Sequence, residues 1–198
     1  MIRQVGRTGD PEIRRALRVK LANEHAEQKD TVLIDELGIC RGLGRIDLVV
    51  VNSVVHGYEI KSNRDSMRRL ESQVEKYSRV LERATVVVGD RHLNAALDIV
   101  PDWWGVLLFQ DDPKSSRFKS VRISKKNPKL DSRSLVELLW RDEAIAFLDE
   151  RSLAFGVRGK PRRFVWDRVC EHFQVREIAA KVRDQLKARS GHLILSKR

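Results

Sequence analysis

Only two cysteines occur in 198 residues, Cys40 and Cys170, with no paired spacing between them. That argues against a disulfide framework and against a thiolate metal site, and it makes a reducing cytoplasm the expected compartment. No apolar run approaches the roughly 18 residues of a membrane span. Met1-Ile2-Arg3-Gln4 has no apolar stretch behind its charge, so a secretory signal is not expected. Internal repeats and low-complexity segments are absent as well. What is present is an apolar fraction of 41%, enough for a packed core.

Acidic charge is scarce in one half of the chain. Residues 1–112 carry a net charge of −1, and residues 113–198 carry +12, so the whole excess of +11 lies C-terminal. A basic half favours polyanions, nucleic acid ahead of anionic membrane; the plain alternative is a soluble basic surface.

Asp10-Pro11 supplies an N-cap and a first helical position, and Ile13, Ala16, Leu17 and Leu21 recur at helical spacing, which predicts a helix over 11–28. Thr31 to Ile34 is a short β-branched run, and Gly38, Gly42 and Gly44 mark a flexible connection. Two strands, 45–51 and 54–61, flank a hairpin signal at Asn52-Ser53. Met67, Leu70, Val74, Tyr77 and Leu81 form a helix face, 85–88 a buried strand, 91–99 a short helix, 103–109 a strand and 118–123 its antiparallel neighbour. Ile46, Leu48 and Val50 are assigned to one sheet face, and Val49 and Val51 to the other. A sheet apolar on both sides needs helices on both sides. The expected fold is α/β, an α/β/α sandwich with a mixed central sheet, over residues 1–127. Asn127-Pro128 marks a boundary. Beyond it three helical stretches predict a small basic helical bundle over 128–190, with 191–198 as a tail.

Charged residues interrupt the apolar strands. Asp47 lies inside Ile46 to Val51, and Glu59 and Lys61 flank Ile60. Strand side chains alternate, so Glu59 and Lys61 share a face. A three-residue turn centred on Ser53 sets Asp47 opposite Glu59; a two-residue turn sets it opposite Tyr58 and separates the acids. Two carboxylates on a poorly solvated face repel unless a cation lies between them. Mg2+ suits such a pair, because it takes one or two carboxylates and keeps several waters. The ordinary alternative is a cross-strand ion pair on a solvated face.

Gly44-Arg45-Ile46-Asp47, eleven residues, then Glu59-Ile60-Lys61 resembles the signature of the PD-(D/E)XK, or restriction-endonuclease-like, nuclease superfamily. Gln73 and Tyr77 resemble the Gln-x-x-x-Tyr helix motif of its RecB-type branch, and the chain also looks like a small bacterial and phage branch of that superfamily. The similarity covers about residues 10–110. The proline of the family name is missing, since Ile46 precedes Asp47. The resemblance implies a metal-dependent phosphodiesterase acting on DNA. Asp47, Glu59 and the Ile60 carbonyl would bind Mg2+, with Mn2+ able to substitute, and Lys61 would be catalytic. Gln73, Tyr77 and Arg45 would face the substrate or support the site; the ordinary alternatives are core packing for Tyr77 and a solvated helix position for Gln73. Family members often add an acid from the first helix; Glu12 is the positional candidate, with Glu24 and Glu36 competing.

Past the core, Lys114, Arg117, Lys119, Arg122, Lys125, Lys126 and Lys129 form a basic stretch, and Arg162 and Arg163 open a helix. Lys125, Lys126, Arg162 and Arg163 are the candidates for contact with a phosphate backbone. The helix pair 164–173 and 176–188 has the short connection of a helix-turn-helix. The alternative is a helical cap or a dimerisation element, which leaves a homodimer open. Trp103 and Trp104 could stack on bases or fill the core.

Overall fold

The structure, a computed structural model, describes residues 9–110 and 117–195. Six strands follow one another across one sheet in chain order: β1 (Val32–Ile39), β2 (Gly44–Val51), β3 (Val55–Lys61), β4 (Arg83–Gly89), β5 (Gly105–Gln110) and β6 (Arg117–Arg122). β1–β2, β2–β3 and β5–β6 are antiparallel; β3–β4 and β4–β5 are parallel. The parallel pairs need crossovers, supplied by α2 (Leu70–Tyr77) and α3 (Leu93–Ile99). The sheet is therefore mixed, as the sequence predicts.

One face packs Leu48, Val50, Tyr58, Ile60, Val87 and Phe109 against Ile13, Leu17 and Leu21 of α1 (Asp10–Glu24). The other packs Val49, Val51, Val86, Val88 and Val106 against α2, α3 and the C-terminal helices. Those are α4 (Ser132–Val136), α5 (Arg141–Asp149), α6 (Arg162–His172) and α7 (Val175–Leu195), four where three are expected. Their apolar residues join the same cluster as the sheet, from Ile39 to Leu186. At the expected boundary, Asn127 is buried and its amide donates to the Ser78 and Leu81 carbonyls. α7 packs on α4, β1 and β2, and Arg183 on it pairs with buried Glu82 (2.6 Å). The helix-turn-helix reading therefore has its second helix apposed to the sheet, and the expected tail is helical through Leu195.

The β2–β3 turn has three residues, 52–54. Leu48 stands opposite Tyr58 and Val51 opposite Val55, and Asn52 closes the turn by accepting from the Val54 amide. The β1–β2 ladder skips one pair, Glu36 and Asp47. Glu36 there has φ 59, a left-handed backbone. The interruption rotates the start of β2, so Ile46 packs with Val49 and Val51, not with Leu48 and Val50 as alternation predicts.

Five local boundaries also differ from expectation. Gly9, not Asp10, is the N-cap of α1, with Glu12 accepting from the Gly9 amide, and α1 ends at Glu24. β1 runs on to Ile39. Ser66 caps a 3-10 turn at Met67–Arg69 before α2, because its hydroxyl accepts from the Arg68 amide. Trp103 and Trp104 precede β5 rather than joining it, and Trp104 is fully buried.

Candidate functional site

A recess of about 340 Å³ opens where β2 begins and β3 ends, and Asp47, Glu59, Ile60 and Lys61 all line it. The three-residue turn sets the register that makes this convergence possible. β3 turns Glu59 and Lys61 toward α2, and both are almost inaccessible, at 2% and 4% exposure. Lys61 Nζ donates to Glu59 Oε1 (2.6 Å). Gln73 of α2 donates to the same oxygen, and the Tyr77 hydroxyl donates to Glu59 Oε2 (2.8 Å). Tyr77 also lies against the Arg45 carbonyl oxygen, so one phenol proton faces two acceptors. Asp47 Oδ2 accepts from the Ile60 amide (2.8 Å), and Oδ1 accepts from Arg14 of α1 (2.8 Å).

Burial pushes the Glu59 carboxyl up to about 7, with the Asp47 charge adding to the rise and Lys61 and Tyr77 opposing it. Asp47 is also raised, first by burial, against the pull of the Ile60 amide and Arg14. Two acids with raised proton affinity around one concavity are a functional-site signature.

Of the residues singled out from sequence, the recess gathers Asp47, Glu59, Ile60, Lys61, Gln73, Tyr77 and Arg45. Glu12 is not among them. It is exposed and caps α1, and its place is taken by Asp10, two residues earlier, which lines the recess and pairs with Arg14. Of its two competitors, Glu36 reaches the recess through ion pairs with Arg14 (2.8 Å) and Arg45 (2.5 Å), whereas Glu24 pairs with Lys20 on the same helix. Lys125 and Lys126 are exposed and do not line the recess. Arg162 and Arg163 lie on α6, stacked on Trp166 and Phe164. Lys114 lies outside the described residues. Arg14, Arg69 and Lys76 complete the basic lining, and sequence reasoning missed them. The signal for Arg14 was its position four residues after Asp10.

The chain matches the bacteriophage P4 protein cII family over residues 5–194. It belongs to that family. Protein cII of Enterobacteria phage P4 is 26% identical over 126 residues, which are 64% of this chain and 48% of the relative. The chain thus spans about half the length of the curated relative it matches. Among solved structures, a protein of unknown function from Silicibacter pomeroyi is 18% identical over 69% of this chain and 90% of its own, with a TM-score of 0.39. Pyrococcus furiosus SfsA, solved in complex with Ca2+, is 15% identical over 59% of this chain and 64% of its own, with a TM-score of 0.36.

The recess of this cII-family chain suits a hard cation in a specific respect. Two buried side-chain oxygens in its lining, Asp10 Oδ1 and Gln73 Oε1, have no hydrogen-bond partner among the described residues. Because Gln73 already turns its amide N–H to Glu59, its oxygen is left as an acceptor. Orphaned buried acceptors are costly and call for a donor, a water or a cation. Among the described residues no three His, Cys, Asp or Glu side chains form a metal-holding group by themselves. Asp47 and Glu59 with oxygens of other types are the residues that would hold such an ion, a donor set of the kind Mg2+ takes.

Proposed function

We propose that this cII-family chain is a metal-dependent phosphodiesterase acting on nucleic acid, with DNA as the first candidate. Asp47 and Glu59 would hold Mg2+ or Mn2+, together with the Ile60 carbonyl. The observation that carries the reading is the convergence of Asp47, Glu59 and Lys61 on one recess. It agrees with the resemblance to the restriction-endonuclease-like signature. A divalent ion bound there would polarise a phosphoryl oxygen and acidify a water. Lys61 would release Glu59 and turn its ammonium to the negative charge growing on the phosphate. Tyr77 and Gln73 fix the Glu59 carboxylate from α2. Arg45, Arg69 and Lys76 line the recess and would meet the flanking phosphates.

The test is incubation of the purified protein with linear, circular and branched DNA, with and without Mg2+ or Mn2+. Lys61→Ala and Asp47→Ala are expected to abolish cleavage while DNA binding persists. Cleavage that survives both substitutions rejects the reading.

A second reading has its own observation. Every oxygen of Asp47 and Glu59 already has a donor within the protein, from Arg14, Ile60, Lys61, Gln73 or Tyr77. A recess so satisfied suits a nuclease-like scaffold that binds DNA without cutting it. That reading predicts salt-sensitive binding and no cleavage with either metal.

A further inference from the structure

At the far end of the sheet lies a second, larger concavity of about 610 Å³. Its walls are the β2–β3 turn (Ser53, Val54), the start of β4, the segment after β6 and the start of α7. The recess sits at the C-terminal end of β3 and this cleft at its N-terminal end. Seven residues of strand put them about 20 Å apart, so one small ligand cannot occupy both.

The charges in the cleft are one-sided. Arg83, Lys126, Arg176 and Arg183 line it, against a single acid, Glu82. Glu82 is buried and both its oxygens are engaged, Oε1 by Arg183 (2.6 Å) and Oε2 by the Val55 amide (2.9 Å). It cannot neutralise the other three. Arg83 gives one N–H to the Ser124 carbonyl and keeps its remaining donors. Among the described residues, Arg83, Lys126 and Arg176 form no ion pair, whereas Arg183 beside them is paired with Glu82. α7 adds to the field. Its first two residues, Val175 and Arg176, border the cleft, and the positive end of a 21-residue helix favours an anion. Glu177, in the same first turn, does not line the cleft, but by accepting from the Gln174 amide and pairing with Arg151 it offsets part of this field.

Three cations without acids around one concavity repel one another and concentrate anions. The volume is that of a small-molecule site, and guanidinium forks match the oxygens of phosphate. We infer that this cleft binds phosphate groups, at a site separate from the Asp47–Glu59 recess. The phosphates belong either to a nucleoside polyphosphate or to a nucleic-acid strand running toward the recess.

The experiment is calorimetric titration of the full chain with inorganic tripolyphosphate, with EDTA present so that no metal bridges ligand and recess. Binding is expected to weaken as salt rises and to be about tenfold or more weaker in Lys126→Glu and in Arg176→Glu. Both side chains are exposed and unpaired, so these variants keep the fold, checked by circular dichroism. The recess variant Asp47→Ala is expected to bind tripolyphosphate as the wild type does. No binding, or binding equally strong in both charge reversals, overturns the inference. So does binding lost in Asp47→Ala alone. Competition with ATP and with a short single-stranded oligonucleotide identifies the source. Whichever displaces tripolyphosphate from the wild type, and loses affinity in the charge reversals, carries the phosphate this cleft takes.

Discussion

Burial moves the proton affinity of Glu59 against the pull of its own ion pair with Lys61, and burial wins. The consequence for stability has a definite sign. The folded carboxyl titrates at about 7 and the unfolded one at about 4.3. Between those values the native state holds a proton that the unfolded chain has released, so stability falls as pH rises through the window and is level above it. The fall is on the order of 4 kcal/mol. Urea unfolding across the window should show it in the wild type and only a smaller fall, from Asp47, in Glu59→Gln. A constant offset between the two proteins, from the Lys61 ammonium left without its partner, is a separate matter. Tyr77→Phe removes a donor that lowers the Glu59 value and leaves the Arg45 carbonyl short of one. It should move the Glu59 midpoint to higher pH and cost about 1–2 kcal/mol. An unchanged midpoint would mean that the phenol proton serves Arg45 alone.

At the scale of the elements, the β3 backbone is held where a side chain would not fit. A Cβ on Gly57 would stand 2.4 Å from Leu81 Cδ1 and 3.2 Å from Ile46 Cγ2. Gly57→Ala should therefore cost about 1–3 kcal/mol and, by displacing β3, weaken any activity that depends on Glu59 and Lys61. A melting curve and a cleavage assay read the two effects. Much of this part of the molecule was legible beforehand. Alternation set Glu59 beside Lys61, the apolar spacing set Tyr77 on the buried face of α2, and the hairpin signal left only the turn length undecided. The rotation at Ile46 was not legible, because it follows from a left-handed residue at Glu36, a residue type that gives no local warning. The acid on α1 was misread for a geometric reason. Two residues along a helix turn the side chain by about 200°, so Asp10 and Arg14 share the inward face and Glu12 faces out.

At the scale of the whole molecule, the charge asymmetry of the sequence and the packing of the structure follow different divisions. Charge divides the chain near residue 112, whereas the apolar core runs through to Leu186. The composition could suggest a basic appendage, but only packing could reveal that the helices complete the core. Arg183→Ala tests that closure. It strips buried Glu82 of its partner and should cost about 2–3 kcal/mol, below the figure for a fully enclosed pair because Arg183 is partly exposed. Denaturant unfolding measures it, and a loss under 0.5 kcal/mol, the range of ordinary surface changes, would show that α7 is held without this pair. If the proposed nucleic-acid binding holds, the same asymmetry predicts that the affinity drops by orders of magnitude between about 50 and 200 mM salt, as a filter-binding titration would show.

The packing of α7 on β1 and β2 also bears on the order of events at the ribosome. Strands that pair only with their chain neighbours can assemble as they emerge, yet β1 and β2 stay incompletely covered until α7 is synthesised. At about 5–20 residues per second, the newborn sheet stays greasy on that side for several seconds, long enough for a chaperone to engage it before the last helix covers it.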